Sequence, residues 1–298
     1  MNLDQFNDRQ KEAILATEGP LLILAGAGSG KTTVVVNKIA YILEQSLARP
    51  YQILAITFTN KAANELKDRV EGLIGDGAEG MWIGTFHSVC MKILRRNISL
   101  LGYASDFLIY DSADQKTLIK RCLKELGMDE KTFPPKSMLA EISNAKDNLM
   151  EPDVFLAAYN GDFRMTKVGE LYKLYQKRLF EANALDFDDI IILTVKLFSL
   201  DAEVLEFYQN KFRYVFVDEY QDTNNAQYLL TSQLAGKYRN ICVVGDDDQS
   251  IYKFRGANIN NILDFEKEFD QAKVIKLEQN YRSTQNILNA ANCVIANN

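Results

Sequence analysis

The chain has 298 residues, 47% hydrophobic and 25% charged, with 34 basic against 40 acidic side chains and a formal net charge of −6. That is a globular balance, which excludes a wholly disordered, collagen-like or uniformly cationic protein, and the length suggests roughly two domains. No uncharged apolar run reaches the roughly 18–20 residues a membrane helix needs, and the N-terminal Met-Asn-Leu-Asp-Gln lacks the basic-then-apolar pattern of a secretory leader.

In chain order, the first β-rich apolar run is 21–25, followed by a helical run over 34–43. Runs at 53–58 and 81–85 follow, each leading into a helical pattern. From about 111 to 185 the strand signal fades. Helical spacing is clear in Leu118, Cys122, Leu123 and Leu126 and in Leu171, Leu174, Tyr175 and Leu179, with a break at Phe133-Pro134-Pro135. Strand patterns return at 214–217, 241–245 and 274–277, and a last helical run covers 287–294. Short apolar strands alternating with helices predict an α/β fold with a parallel sheet, interrupted by a helical insertion. The final run, so close to residue 298, reads as a chain cut inside a further domain.

The first strand leads into Ala25-Gly26-Ala27-Gly28-Ser29-Gly30-Lys31-Thr32, and a helix follows. This is the strand–loop–helix order of a P-loop. Its glycines let Ala27, Gly28, Ser29 and Gly30 turn backbone N–H groups toward a phosphate, with Lys31, Thr32 and Thr33 at the helix start. Lys31 suits the β- and γ-phosphates of a nucleotide, and Thr32 suits Mg²⁺. Far downstream, the strand at 214–217 ends in Asp218-Glu219. A carboxylate there suits Mg²⁺, which assigns Asp218 to the metal and Glu219 to polarising the attacking water. The strand at 241–245 ends in three aspartates and Gln249. Mg²⁺ bound with a nucleotide uses only one or two protein carboxylates, so 246–248 reads as structural or solvated. Gln249 is then the γ-phosphate or water contact.

Together these segments resemble superfamily 1 DNA helicases of the UvrD/Rep/PcrA type. Phe6-Asn7-Asp8-Arg9-Gln10 is similar to the adenine-reading Q motif, and 25–32 to motif I. Residues 55–63 and 84–88 are similar to motifs Ia and Ib, and Ala184-Leu185-Asp186-Phe187-Asp188-Asp189 to a further family segment. Val217-Asp218-Glu219-Tyr220-Gln221-Asp222, 244–257 and 277–284 are similar to motifs II, III and IV. The resemblance implies a RecA-like motor domain 1A over 1–108 and 185–278, an all-helical insertion 1B over 109–184, and the start of a second motor domain, 2A, at 279–298. It also implies that Tyr281 stacks near the adenine, that Gln10 hydrogen-bonds its edge, and that Arg282 is the arginine finger. The rest of 2A, which completes the nucleotide site in the family, is absent from the sequence.

For single-stranded DNA, Phe58, Tyr252 and Phe254 are the expected base-stacking residues, with Phe254 where many relatives carry Trp. Thr59, Asn60, Lys61, Thr85, His87 and Arg255 are the expected backbone contacts. A basic stretch over 164–178 suggests that the insertion lies over duplex DNA. The implied activity is an ATP- and Mg²⁺-dependent 3′→5′ single-strand translocase and helicase. Its partners would be 3′-tailed or forked DNA and proteins of repair or replication. The alternative for the chain as it stands is an ATP- and single-strand-binding fragment with little turnover. A P-loop kinase would need an acceptor pocket and lid, and a GTP switch an Asn-Lys-x-Asp segment, which is absent. The single histidine, His87, argues against a metallohydrolase. The dispersed Cys90, Cys122, Cys242 and Cys293 fit a reduced cytoplasmic setting, and the resemblance implies association with the nucleoid.

Overall fold

The computed structural model describes residues 2–246, 249 and 257–295. Its strands are β1 (Leu21–Ala25), β2 (Ile53–Thr57), β3 (Trp82–Thr85), β4 (Leu108–Ile109), β5 (Ala184–Leu185), β6 (Tyr214–Val217), β7 (Ile241–Gly245) and β8 (Lys273–Leu277). The helices used below are α1 (Asp8–Leu15), α2 (Lys31–Glu44), α3 (Asn60–Ile74), α4 (Phe86–Asn97), α5 (Ser112–Glu125), α6 (Pro135–Asp147), α7 (Pro152–Ala158), α8 (Phe163–Glu181), α9 (Phe187–Leu200) and α10 (Ala202–Lys211). Two more are α11 (Asn225–Ala235) and α12 (Asn260–Leu263).

The chain divides into two compact units. The first is Met1–Phe86, Glu206–Thr223 and Thr231–Asn298; the second is His87–Leu205 with Asn224–Leu230. These limits differ from 109–184 because α9, which follows the predicted insertion, packs on α6.

In the first unit six strands form one sheet in the order β3-β2-β6-β7-β1-β8, every pair parallel. All six predicted strands are present, so the expected α/β parallel sheet is found. The central β2, β6 and β7 are buried throughout, as strands covered on both faces must be. The edge strand β8 alternates instead, with Lys273 and Lys276 exposed and Ile275 and Leu277 buried, which discourages pairing with another chain. Three expected boundaries shift, one of them by the addition of Lys273 at the start of β8, where its N–H donates to Pro20 O at 2.9 Å. Phe58 lies past β2 because Thr59 caps α3, its hydroxyl accepting the Ala62 N–H at 3.1 Å. Met81 precedes β3 because its N–H closes a turn on Ala78 O. The register pairs Leu24 with Gly245 and Ile56 with Val217, so the carboxyl ends of β1, β7, β6 and β2 share one edge.

The second unit is helical apart from β4 and β5, a two-residue parallel pair too short for a periodicity signal. Pro135 opens α6 at its first position, where a missing N–H costs nothing. Of the expected helical faces the core takes Cys122, Leu123, Leu171, Tyr175 and Leu179, with Leu118 and Leu174 partly buried against it; Leu126 is exposed instead, and Ile119 is buried in addition. Inside it lies a charged cluster. Lys146 Nζ donates to Asp186 at 2.6 Å and Asp189 at 2.7 Å, with all three side chains buried. The Tyr175 hydroxyl adds a bond to Asp186 (3.1 Å) and the Gln176 amide one to Asp189 (3.0 Å). Asp186 and Asp189 also form the capping box of α9. Burial pushes the Asp189 carboxyl up and Asp186 repels it further, while Lys146 holds Asp186 ionised despite burial.

Candidate functional site

The loop after β1 is shaped by two left-handed glycines, Gly28 (φ 77°) and Gly30 (φ 90°). Ser29 closes it, its N–H and hydroxyl both donating to Gly26 O, at 3.2 and 2.7 Å. Gly30 is the N-cap of α2 and supplies no side-chain cap, so the first N–H groups of that helix are left for an incoming anion. Lys31, Thr32 and Thr33 form its first turn.

Helix α1 braces the loop. Asn7 and Gln10 form a capping box, and Gln10 Nε2 reaches Ser29 O at 3.2 Å. Both ends of the buried Gln10 amide are therefore engaged, although each retains capacity for one further hydrogen bond. The end of α1 is tied to α2 by Lys38, whose ammonium donates to the carbonyls of Ala13 (2.9 Å) and Ala16. Burial lowers the Lys38 pKa to about 8.

Across from the loop, β6 ends in Asp218 and Glu219. Lys31 Nζ lies 3.3 Å from Glu219 Oε2, joining residues 188 positions apart in sequence. Glu219 sits in the left-handed region (φ 51°, ψ 44°), an unusual conformation for a side-chain-bearing residue, and its N–H donates to Asp218 Oδ1 at 3.0 Å. Burial, reinforced by the Glu219 charge, raises the Asp218 pKa to about 6. Asp222 is raised to about 6 for the same two reasons, and its buried Oδ1 has no hydrogen-bond partner. At the end of β7, the Gln249 amide bonds the carboxylate of buried Asp246. Residues 247 and 248 lie outside the described residues.

The segment after β8 lies on the loop. Tyr281 N–H donates to Gly28 O at 2.9 Å and the Asn280 amide to Ala27 O. Asn280 Oδ1 accepts the N–H groups of Arg282 and Ser283, both at 2.8 Å, and Asn7 Nδ2 reaches the Tyr281 hydroxyl at 2.8 Å. A Cβ on Gly28 would come 2.6 Å from Arg282 Cβ. Thus Gln10, Ala27, Gly28, Ser29, Gly30, Lys31, Tyr281 and Arg282 are gathered around one loop, with Glu219 against Lys31. Sequence reasoning named neither Asn7 nor Asn280 as a brace. The Asn-x-x-Gln capping signature was a visible sign of the first.

Among the proposed DNA residues of the first unit, Phe58 is half-buried and packs edge-on against Phe86 (5.5 Å, 69°). Asn60 and Lys61 are exposed on the first turn of α3, while Thr85 is buried at the end of β3. Tyr252, Phe254 and Arg255 lie outside the described residues. In the second unit, burial lowers the His87 pKa, and its ring lies edge-on to Phe187 (6.0 Å). Phe187, exposed at the start of α9, is not among the expected DNA contacts, although it lies in the family-like segment 184–189. Each cation of the basic stretch has an ion-pair partner: Arg164 meets Glu141, Lys167 meets Glu170, Lys173 meets Asp153, Lys177 meets Glu181, and Arg178 meets Glu125 and Glu181. Of these acids only Glu170 lies within 164–178.

The family model described as UvrD/REP helicase N-terminal domain matches residues 6–270. The chain belongs to that family. It is 55% identical over 296 residues to the ATP-dependent DNA helicase PcrA of Bacillus subtilis, covering 99% of this chain. It is 55% identical over 293 residues (98% of this chain) to the PcrA of Staphylococcus epidermidis, and 54% identical over 297 residues (99%) to that of Staphylococcus aureus. In each case the chain spans 40% of the relative's length. As a member of the UvrD/REP family, it carries a parallel α/β sheet with the P-loop on its carboxyl edge. No helix among the described residues is long and apolar enough to cross a membrane.

Proposed function

We propose that this chain is the ATP-binding motor half of a 3′→5′ single-stranded DNA translocase and helicase. The observation that carries the reading is the meeting of Lys31 with Glu219, beside the half-buried Asp218. An arriving triphosphate draws Lys31 onto its β- and γ-oxygens and frees Glu219. The released carboxylate then accepts a proton from the water that attacks the γ-phosphorus. Thr32 and Asp218 would hold Mg²⁺. Bound there, Mg²⁺ would neutralise charge on the phosphates. The chemistry of the donors fits: one carboxylate and one hydroxyl oxygen suit a hard cation that keeps waters and phosphate oxygens in the rest of its shell. Gln249 leaves Asp246 to contact the γ-phosphate, Tyr281 stacks on the base with Gln10 on its edge, and Arg282 meets transition-state charge. The polarity is that of the family resemblance.

A second reading is favoured by the coverage: a chain spanning 40% of its relatives binds ATP and single strands but turns over slowly. ATP hydrolysis with and without oligo-dT separates the two. Stimulation of about tenfold or more supports the motor reading for this chain; binding without stimulation supports the fragment.

Single strands are expected to contact Phe58, Thr59, Asn60, Lys61, Thr85 and His87, and also Tyr252, Phe254 and Arg255, with Phe187 as an added platform. Oligo-dT affinity should fall with salt, with a log–log slope of about −0.7 per phosphate contact. A flat salt titration would contradict phosphate contacts. Because metal binding needs ionised Asp218, Mg²⁺-dependent nucleotide affinity should weaken as pH falls through about 6, by up to about tenfold per unit. Calorimetric titrations from pH 7.5 to 5 would test this, and a pH-independent affinity would oppose the assignment.

A further inference from the structure

Gln221 is buried, and both ends of its side chain are engaged. Nε2 donates to Glu219 Oε2 at 2.9 Å, and Oε1 accepts the backbone N–H of Asp246 at 3.1 Å. The partners fix the amide's orientation, because an ionised carboxylate only accepts and a backbone N–H only donates. Glutamate would set two carboxylates against each other, methionine would offer no donor, and asparagine is one methylene short. The neighbouring strand leaves room for this amide. A Cβ on Gly245 would come 2.8 Å from Gln221 Oε1 and 2.6 Å from Ile262 Cδ1, so β7 ends in glycine beside the amide. The turn that carries Gln221 is also held from its far side. Asn261 Nδ2 donates to Thr223 O (3.0 Å) and Oγ1 (3.1 Å), and Asn258 N–H to Thr223 O (2.9 Å).

We propose that Gln221 is the positioning residue of Glu219, fixing its carboxylate and tying it to the tip of β7. This rests on the reading of Glu219 as the base. Lys31 leaves Glu219 for the phosphates when nucleotide enters, whereas Gln221 is a neutral donor that phosphate does not attract. The other charged groups facing Glu219, Asp218 and Asp222, repel it. Gln221 is therefore the side chain that holds the base during the attack.

The test measures ATP turnover and the affinity of a non-hydrolysable ATP analogue for the wild-type chain, Gln221→Glu, Gln221→Met and Glu219→Gln, with thermal melting as a check on folding. Both Gln221 variants should lose about 10- to 100-fold in kcat, the scale of a base misplaced by about 1 Å, while analogue affinity stays within about threefold. A kcat within twofold of wild type in either variant overturns the proposal. So does a parallel loss of kcat and affinity, which would mark Gln221 as merely structural. If Glu219→Gln is as active as wild type, the reading of Glu219 falls and takes Gln221 with it.

Discussion

Glu219→Gln is expected to cut ATP turnover by about 10²- to 10⁴-fold while leaving nucleotide affinity within about threefold. The amide keeps the shape of the carboxylate and can still meet the buried Gln221, but it cannot accept the water's proton. Lys31, 3.3 Å from Glu219, loses a charged partner and gains freedom to meet phosphate, so binding is maintained or slightly tightened. Lys31→Ala should behave differently, weakening binding and hydrolysis together. Equal losses of affinity in the two variants would contradict the division of roles.

The largest stability effect should come from the second unit. Lys146→Met leaves Asp186 and Asp189 buried beside each other without their cation, a change of about 3–5 kcal/mol. Melting should fall on the order of 10 °C. The sign with pH follows from the charges. Without Lys146, both carboxyls are raised above their unfolded values by burial and mutual repulsion. Their contribution to stability is then present below about pH 4 and lost as pH rises, so the deficit against wild type should be largest at neutral pH and narrow in acid. Chemical denaturation at pH 7.5 and 5 would measure this. A loss below 1 kcal/mol at pH 7.5 would show that the cluster is not held by Lys146.

Much of this was legible because it is local. A glycine-rich turn between an apolar strand and a helix, or Asp-Glu at a strand end, is written in consecutive residues. What escaped was tertiary. Lys38 and Lys146 look like surface lysines until helix packing buries them against carbonyls and carboxylates. The ion pairs of 164–178 with Glu141, Asp153 and Glu125 likewise depend on which helices pack together. Asn280 and Gln221 sit inside recognisable segments, but their bonds run to Ala27 and to the N–H of Asp246, contacts that no local pattern encodes.

The central claim is that the P-loop and the end of β6 serve one magnesium triphosphate. A crystal structure of the chain with Mg²⁺ and a non-hydrolysable ATP analogue tests it most directly. The expected result is Lys31 moved from Glu219 to the β- and γ-phosphates, with the metal held by Thr32 and Asp218. Nucleotide bound elsewhere, with Lys31 still paired to Glu219, would contradict it.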